Sequence, residues 1–221
     1  RDESSYHELL AHVPLLAHPE PKRVLIIGGG DGGTLREVLR HPSVEAAVLV
    51  EIDAEVIRCA RTYFPHLAAA LDDPRAAVHV TDGVAYVREK AEAGERFDVV
   101  LIDSTDPVDA AVDLFTPEFY GHCARLVGDS GILVPQSGSA IFHLDHAAEV
   151  ARALTDTFAQ VTPFVGQTVT YPGGFWIFLA ATNGRPVGPG AIDRARAAEL
   201  CAPLRYLNED LASAVFALPQ Y

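Results

Sequence analysis

The chain has 221 residues, 49% of them hydrophobic, and a formal net charge of −13. This length and apolar fraction suit one sizeable globular domain, whereas the acidic balance argues against a general nucleic-acid binder. No run is long and apolar enough to span a membrane, so no membrane contact is expected. An acidic surface suits a cationic substrate, although it serves solubility equally well.

Strands and helices alternate along the chain. Apolar residues at helical spacing predict a helix over 3–17, within a lead-in segment 1–20 that Pro19 and Pro21 separate from the first strand. Strands are predicted at 23–27, 47–51, 77–80, 97–102, 131–135, 160–166 and 175–181. Helices are predicted at 34–40, 54–63, 83–92, 117–127 and 144–157, with a loop at 66–75.

This alternation predicts an α/β fold with a Rossmann-like, methyltransferase-type sheet. The sheet is expected to be mostly parallel, with helices on both faces and an antiparallel C-terminal hairpin. Glycines and prolines from Gly184 onward indicate that residues 183–221 form a linker and a helical tail. Within this tail, helices are predicted at 193–200 and 208–216.

The most informative stretch is the turn after the first strand. Five glycines surround one aspartate in Gly28–Gly33, where the backbone can turn tightly and a ligand can approach it. Glu51 ends the second strand 20 residues after Asp31, the offset at which an acid binds ribose hydroxyls. The alternative is that Glu51 caps the next helix. Together these features predict a nucleoside-binding catalytic domain over 21–182.

Acidic residues also follow the third and fourth strands. Asp82-Gly83 is placed to bind an adenine amino group or, alternatively, to cap a helix. Asp103 and Asp106 enclose a Ser-Thr pair after the fourth strand, where they could instead simply turn the chain. No Lys or Arg occurs within 97–124. The cleft that these acids are expected to form therefore suits a cation, such as a polyamine or a sulfonium, better than a phosphate.

Histidine and cysteine residues give no metal signal. Cys59, Cys123 and Cys201 lack metal or disulfide spacing, which fits a reducing, cytoplasmic compartment. His143 and His146 lie three residues apart on a predicted helix, but no third ligand accompanies them. They are interpreted as a polar helix face, and no metal site is predicted.

The motifs, in this order, resemble those of the polyamine aminopropyltransferases, the spermidine synthase family. The resemblance covers residues 1–182 and extends weakly to Leu218-Pro219. The segments that carry it are Tyr6-His7-Glu8, Gly28–Gly33, Val50-Glu51-Ile52-Asp53, Asp82-Gly83, Asp103–Pro107, Leu114–Tyr120 and Thr170–Gly174.

The resemblance implies transfer of the aminopropyl group of decarboxylated S-adenosylmethionine to an amine such as putrescine, giving spermidine and methylthioadenosine. The nucleoside sulfonium is then a co-substrate, and no prosthetic group is expected. Asp31 would bind the aminopropyl amine and exclude ordinary S-adenosylmethionine by repelling its carboxylate. The residues implied to bind the nucleoside are Gly28, Gly30, Asp31, Glu51, Asp82 and Gly83. The resemblance also implies a homodimer.

In the same family pattern Asp103 is the base that helps to deprotonate the attacking amine. The residues implied to bind the acceptor are Tyr6, Asp106, Gln136 and Tyr171. His7, beside Tyr6, is a further candidate for substrate binding, but an ordinary position on the helix surface is the preferred interpretation. An alkylamine has a pKa of roughly 10 and arrives protonated, while an unperturbed Asp at about 3.9 is a weak base. Positioning is therefore expected to matter more than proton affinity.

Three departures from the family pattern leave alternatives open. Asp109-Ala110-Ala111 replaces the usual Gly-Pro-Ala, and Gly138 stands where the family has a glutamate. The family's small N-terminal strand lobe is absent from this sequence. One alternative is a methyltransferase that uses S-adenosylmethionine, against which the Asp103–Asp106 loop and the Tyr-Pro motif argue. The other is a catalytically weak, nucleoside-binding regulatory relative, which Gly138 and the absent lobe support.

Overall fold

The computed structural model describes residues 3–105, 109–171 and 173–218. Its strands are β1 (Arg23–Gly28), β2 (Ala46–Glu51), β3 (Ala76–Val80), β4 (Val99–Asp103), β5 (Ile132–Ser139), β6 (Gln160–Gln167) and β7 (Phe175–Thr182). They form one sheet in the order β3-β2-β1-β4-β5-β7-β6, parallel from β3 to β5 and antiparallel at β7 and β6. The predicted, mostly parallel sheet with a C-terminal hairpin is confirmed.

Helices cover both faces of this sheet. They are α1 (Glu3–Ala17), α2 (Gly33–Val38), α3 (Ala54–Tyr63), α4 (Pro65–Ala68), α5 (Gly83–Glu92), α6 (Pro117–Val127), α7 (Leu144–Thr157), α8 (Arg194–Cys201) and α9 (Leu211–Ala214). Successive strand residues point to opposite faces. Val24 and Ile26 of β1 therefore pack in one core with α1, α2 and α3. Leu25 and Ile27 pack in the other core with α5, α6 and α7.

Helix α1 is buried in the core. Every residue after Glu3 is buried, and the helix shares a hydrophobic cluster with β1 and with the C-terminal tail. The predicted boundaries at residues 20 and 182 remain predictions. Because α1 carries Tyr6 and His7, whatever holds this helix in place also positions those two side chains.

The C-terminal tail is attached to α1 at two points. The buried Glu8 carboxylate accepts backbone N–H groups from Arg205, Tyr206 and Leu207 at 3.0, 2.9 and 2.7 Å. Arg196 of α8 donates to the carbonyls of Leu15 and Leu16 in the last turn of α1 and of His18 just beyond it, over 2.8–2.9 Å. These carbonyls have no partner within a helix, so the guanidinium acts as a C-cap.

We expect Glu8→Gln to lower the free energy of unfolding by about 2 kcal/mol, because charge-assisted hydrogen bonds contribute more than neutral ones. Urea denaturation measures the change, and faster amide exchange at residues 205–207 would locate it. Glu209→Gln, at an exposed carboxylate of the same tail, is the control. Equal stability of the two variants would show that the Glu8 carboxylate does not hold the tail on α1.

The predicted loop at 66–75 is wrong. The segment contains α4 and a 3₁₀ turn at Ala69–Asp72, because Pro65 begins a helix rather than ending one. Proline is well tolerated in the first turn, where its missing N–H costs nothing. Leu67 and Leu71 are buried and anchor the segment to the core.

Two predicted element ends are also corrected. Strand β5 runs past residue 135 to Ser139, because Gln136 and Ser139 pair with β7. Gln136 therefore lies within a strand and not after it. Helix α9 occupies only 211–214 of the predicted 208–216. At the start of α9 the Asn208 side chain accepts the Leu211 N–H at 2.8 Å. Beyond the end of α9 the Val215 carbonyl accepts the N–H of Val165 in β6.

Candidate active site

The register of the sheet brings the glycine turn against the end of β4. Gly28 pairs with Asp103, and the Gly29 N–H donates to the Asp103 carbonyl at 2.9 Å. A side chain at Gly28 would overlap that carbonyl, and its φ of +83° also favours glycine. The close approach of the two strand ends thus depends on the glycines that the sequence places there.

A cavity of about 960 Å³ opens at this edge of the sheet. Its described lining includes no Lys or Arg, and its carboxyl side chains are Glu3, Asp31, Glu51, Asp53, Asp82 and Asp103. Such a cleft attracts cations. The predicted site residues that line the cavity are Tyr6, His7, Gly28, Gly30, Asp31, Glu51, Asp82, Gly83, Asp103 and Tyr171.

Asp103 is oriented by two hydroxyl donors. The Tyr6 hydroxyl donates to Oδ1 at 2.8 Å, and the Thr34 hydroxyl donates to Oδ2 at 2.6 Å. Burial raises the pKa of Asp103 despite the opposing effect of the His7 charge. Burial, followed by the charge of Asp103, raises the pKa of Tyr6 well above its ordinary value, so the phenol stays a donor. Thr34 carried no sequence signal, because only the folded chain brings it to β4.

Asp31 and Glu51 each use backbone donors to fix their carboxylates. Asp31 Oδ1 accepts the Gly33 N–H at 2.8 Å. Glu51 accepts the N–H groups of Gly30 at 3.1 Å and of Asp53 at 3.0 Å. Asp53, not Glu51, caps α3. The alternative that Glu51 is a helix cap is therefore wrong.

Asp82 does cap a helix. Its side chain accepts the Val84 N–H at 2.8 Å at the start of α5, as the capping alternative predicted. The residue also lines the cavity, so a cap and a ligand contact are compatible, and the adenine contact remains a prediction. At Gly83 an added Cβ would lie 2.7 Å from Ile27 Cγ2, so this position admits only glycine without rearrangement.

His7 is buried, and the interpretation as a surface histidine is wrong. Only 6% of the residue is exposed, yet it lines the cavity. Its Nδ1 lies 2.9 Å from Glu3 Oε2, and its Nε2 lies 3.7 Å from Asp31 Oδ2. Glu3 was not predicted as a site residue, although its spacing of four residues from His7 on a helix was a usable signal.

Of the other residues predicted to bind the acceptor amine, one lines the cavity, one is buried outside its described lining, and one lies outside the described residues. Tyr171 lines the cavity, with its ring centroid 6.4 Å from that of Tyr6. Gln136 is buried and is not part of the described lining. Its amide donates to the Ser104 carbonyl at 3.0 Å and accepts the Gly138 N–H at 3.0 Å. Asp106 lies outside the described residues.

His143 and His146 do not form a metal site in the described structure. Within the described ranges, no three His, Cys, Asp or Glu side chains are grouped so that they could hold a metal ion. The His146 ring meets Phe115 edge-on, with centroids 4.9 Å apart. None of the helices in the described part of the chain has the length and apolar character that a membrane crossing needs.

Comparison with known proteins identifies the family. The family model described as the spermine/spermidine synthase domain matches residues 3–187. The chain belongs to the spermine/spermidine synthase family. A polyamine aminopropyltransferase of Caldicellulosiruptor saccharolyticus is 42% identical over 220 residues, covering 100% of this chain and 77% of the relative. A polyamine aminopropyltransferase of Methanocaldococcus jannaschii is 40% identical over 225 residues, covering 100% and 75%.

Solved structures of the spermine/spermidine synthase family share the fold. A spermidine synthase in complex with the transition-state analogue AdoDATO matches with a TM-score of 0.91 at 40% identity, covering 98% of this chain and 73% of that one. The spermidine synthase from Thermotoga maritima matches with a TM-score of 0.89 at 40% identity, covering 98% and 72%. The predicted Rossmann-like fold, the family and the assignment as an aminopropyl-transferring enzyme are confirmed.

Proposed function

We propose that this chain moves the aminopropyl group of decarboxylated S-adenosylmethionine to an amine such as putrescine, releasing methylthioadenosine. The observation that carries the proposal is the environment of Asp103. A buried carboxylate, oriented by Tyr6 and Thr34, stands in a cavity whose described lining carries carboxylates and no Lys or Arg. Both substrates of such a reaction are cations, and this charge pattern suits them.

Asp103 acts as the base toward the attacking amine. The amine attacks the carbon next to the sulfonium, the C–S bond breaks, and the neutral thioether leaves without need of an oxyanion hole. The incoming nitrogen needs a free lone pair, so its proton must pass to an acceptor. Burial raises the pKa of Asp103 toward a value better matched to this task. Each oxygen keeps a lone pair beside its hydroxyl donor.

The nucleoside occupies the ends of β1, β2 and β3. Glu51 binds the ribose hydroxyls, since the Gly30 and Asp53 N–H groups hold its carboxylate at the cavity wall. Asp82 accepts from the adenine amino group while capping α5. Asp31 binds the ammonium of the aminopropyl chain, and Gly28 and Gly30 let the ligand approach the backbone.

The acceptor amine lies on the aromatic side of Asp103. Tyr6 and Tyr171 flank it, and the Trp176 ring supports Tyr171 at a centroid distance of 4.1 Å. Gln136 acts by holding the carbonyl of Ser104, a residue that lines the cavity. The contact predicted for Asp106 remains part of this proposal on the strength of the sequence pattern.

Homodimer formation and a cytoplasmic location are also proposed. Ile141, Phe142 and Leu144 are exposed by 58%, 62% and 60%, and such a patch supports association of two copies. Three free cysteines support a reducing compartment. The net charge of −13 supports the expectation that nucleic acid is not a partner.

The test is a turnover assay. Purified protein is incubated with decarboxylated S-adenosylmethionine and, separately, with putrescine, cadaverine, agmatine or spermidine, and mass spectrometry measures methylthioadenosine and the aminopropylated amine. We expect both products in equal amounts with at least one amine. Ordinary S-adenosylmethionine serves as the control donor, and we expect no transfer from it.

Two outcomes would contradict the proposal. Methyl transfer from S-adenosylmethionine to an amine would favour the methyltransferase alternative. Calorimetric binding of the nucleoside without turnover of any amine would favour the regulatory alternative.

A further inference from the structure

His7 stands between two carboxylates that approach its two ring nitrogens from opposite sides. Glu3 Oε2 lies 2.9 Å from Nδ1, and Asp31 Oδ2 lies 3.7 Å from Nε2. Glu3 accepts a hydrogen bond from Nδ1, and Asp31 lies within ion-pair distance of Nε2, so both carboxylates attract a ring that carries two protons and a positive charge. The cationic ring is thus the form that this arrangement stabilises in the ligand-free protein.

The Glu3 side of this arrangement is fixed. Arg36 of α2 donates to the same Glu3 oxygen at 2.9 Å. The hydrogen bond from His7 lowers the pKa of Glu3 to about 2. Burial opposes this shift, and Arg36 adds to it. A permanent carboxylate at Nδ1 keeps a proton on that nitrogen. Any proton that His7 gains or loses is therefore the one on Nε2, the nitrogen directed to Asp31.

The Asp31 side is fixed as well. The Gly33 N–H holds Asp31 Oδ1 at 2.8 Å, which leaves Oδ2 as the oxygen toward His7. A side chain at Gly33 would overlap the His7 ring, so the glycine permits this approach. Both Asp31 and His7 line the cavity. A ligand cation that binds Asp31 therefore arrives beside His7 Nε2.

We propose that, in the free protein, the imidazolium of His7 occupies the position beside Asp31 that the ammonium group of the aminopropyl donor, decarboxylated S-adenosylmethionine, takes when it binds. Binding of this donor then releases the Nε2 proton. Two positive charges cannot share Asp31 without strong repulsion. After release, the Nε2 lone pair accepts an N–H from the ammonium, and Asp31 accepts another. The Nε2–H bond breaks, its electron pair stays on Nε2, the proton passes to the buffer, and no other covalent bond changes. Glu3 is then a positioning residue for donor recognition.

This inference rests on the proposed function, because it takes the aminopropyl nucleoside as the ligand. The charged and titratable groups that face His7 are Glu3 and Tyr6 of α1, Asp31 of the glycine turn and Asp103 of β4, with Arg36 of α2 behind Glu3. Burial lowers the pKa of His7, but Glu3, Asp103 and Asp31 outweigh it and the net shift is upward.

The sign of the pH dependence follows from this upward shift. Below the raised pKa of His7, the proton competes with the donor, so the donor Kd is expected to rise about tenfold per pH unit as the pH falls. Above that pKa the donor Kd is flat. Methylthioadenosine lacks the aminopropyl chain, so its Kd is expected not to follow the titration of His7.

Calorimetry measures the released proton directly. The wild-type protein is titrated with decarboxylated S-adenosylmethionine and with methylthioadenosine, without acceptor amine, in two buffers of different ionisation enthalpy at a pH below the His7 pKa. We expect release of about one proton per site with the donor and of about none with methylthioadenosine. Equal release with the two nucleosides would contradict the inference while leaving the proposed function intact. Binding of neither would contradict both.

Variants separate Glu3 from a merely structural role. Glu3→Gln removes the anion from Nδ1, so we expect the pH at which donor affinity declines to move downward. Proton release at neutral pH should then fall, while the methylthioadenosine Kd stays unchanged. The matched control is Glu118→Gln, because Glu118 lies 3.8 Å from His122 in the same i,i+4 arrangement on α6, outside the cavity. A Glu3→Gln protein that releases the full proton would overturn the inference.

Discussion

Asp103→Asn is expected to lower kcat by about 10²–10⁴-fold, the range typical of a lost general base. Asparagine keeps the size of the side chain but has no lone pair basic enough to take the ammonium proton. Its amide NH₂ must also meet one of the two hydroxyls, Tyr6 or Thr34, that now donate to the carboxylate. The orientation of the acceptor amine would therefore be lost together with its base.

The measurement pairs turnover under saturating substrates with calorimetric binding of methylthioadenosine, whose Kd we expect to change little because adenine and ribose contact other residues. Asp98→Asn is a suitable control. Asp98 precedes the same strand at the opposite edge of the sheet, where it accepts the N–H groups of Lys22 and Arg23. Undiminished kcat in Asp103→Asn would show that another group takes the proton.

The pH profile offers a second check on Asp103. Its carboxylate must be ionised to accept a proton, and burial raises its pKa. The activity is therefore expected to fall on the acid side, as the pH drops through that raised pKa. The acid limb should disappear from whatever residual activity the Asp103→Asn protein retains.

Much of the fold was predictable because local signals and tertiary packing agree. Helix α3 ends where predicted, and α6 begins at Pro117 behind the Thr116 cap, since caps and prolines act within one turn. The failures come from tertiary context. Strand β5 extends because β7 lies beside it, and α9 is short because β6 and Asn208 take its terminal hydrogen bonds.

The site was predictable to the extent that parallel strands end at one edge. Glu51 and Asp103 could be placed beside the glycine turn by that rule alone. Thr34 could not, since its contact with Asp103 joins residues 69 positions apart and depends on how α2 packs. Gln136 followed a family pattern without a geometric argument, and its side chain binds the carbonyl of Ser104, which lines the cavity, while Gln136 itself is not part of the described lining.

Gly30→Ala is expected to weaken methylthioadenosine binding by about 10- to 100-fold. A Cβ at Gly30 would lie 2.7 Å from both Cγ and Oε2 of Glu51, so the carboxylate must leave the Gly30 N–H that now holds it at 3.1 Å. A hydrogen bond to a charged group contributes about 1.5–3 kcal/mol, which corresponds to this loss of affinity. Gly30, unlike Gly28 and Gly29, has no positive φ, so backbone strain does not confuse the result.

Calorimetric titration gives the Kd of the Gly30→Ala protein, and thermal denaturation shows whether it is folded. Gly121→Ala is the matched control, because an added Cβ there meets no atom within 4 Å and the position lies within α6. That control should bind methylthioadenosine as the wild type does and be slightly more stable, by about 0.5–1 kcal/mol. If Gly30→Ala instead keeps the wild-type Kd, then Glu51 does not bind the ribose from the position that the Gly30 N–H fixes, and the nucleoside must be held mainly by Asp82 and the backbone of the glycine turn.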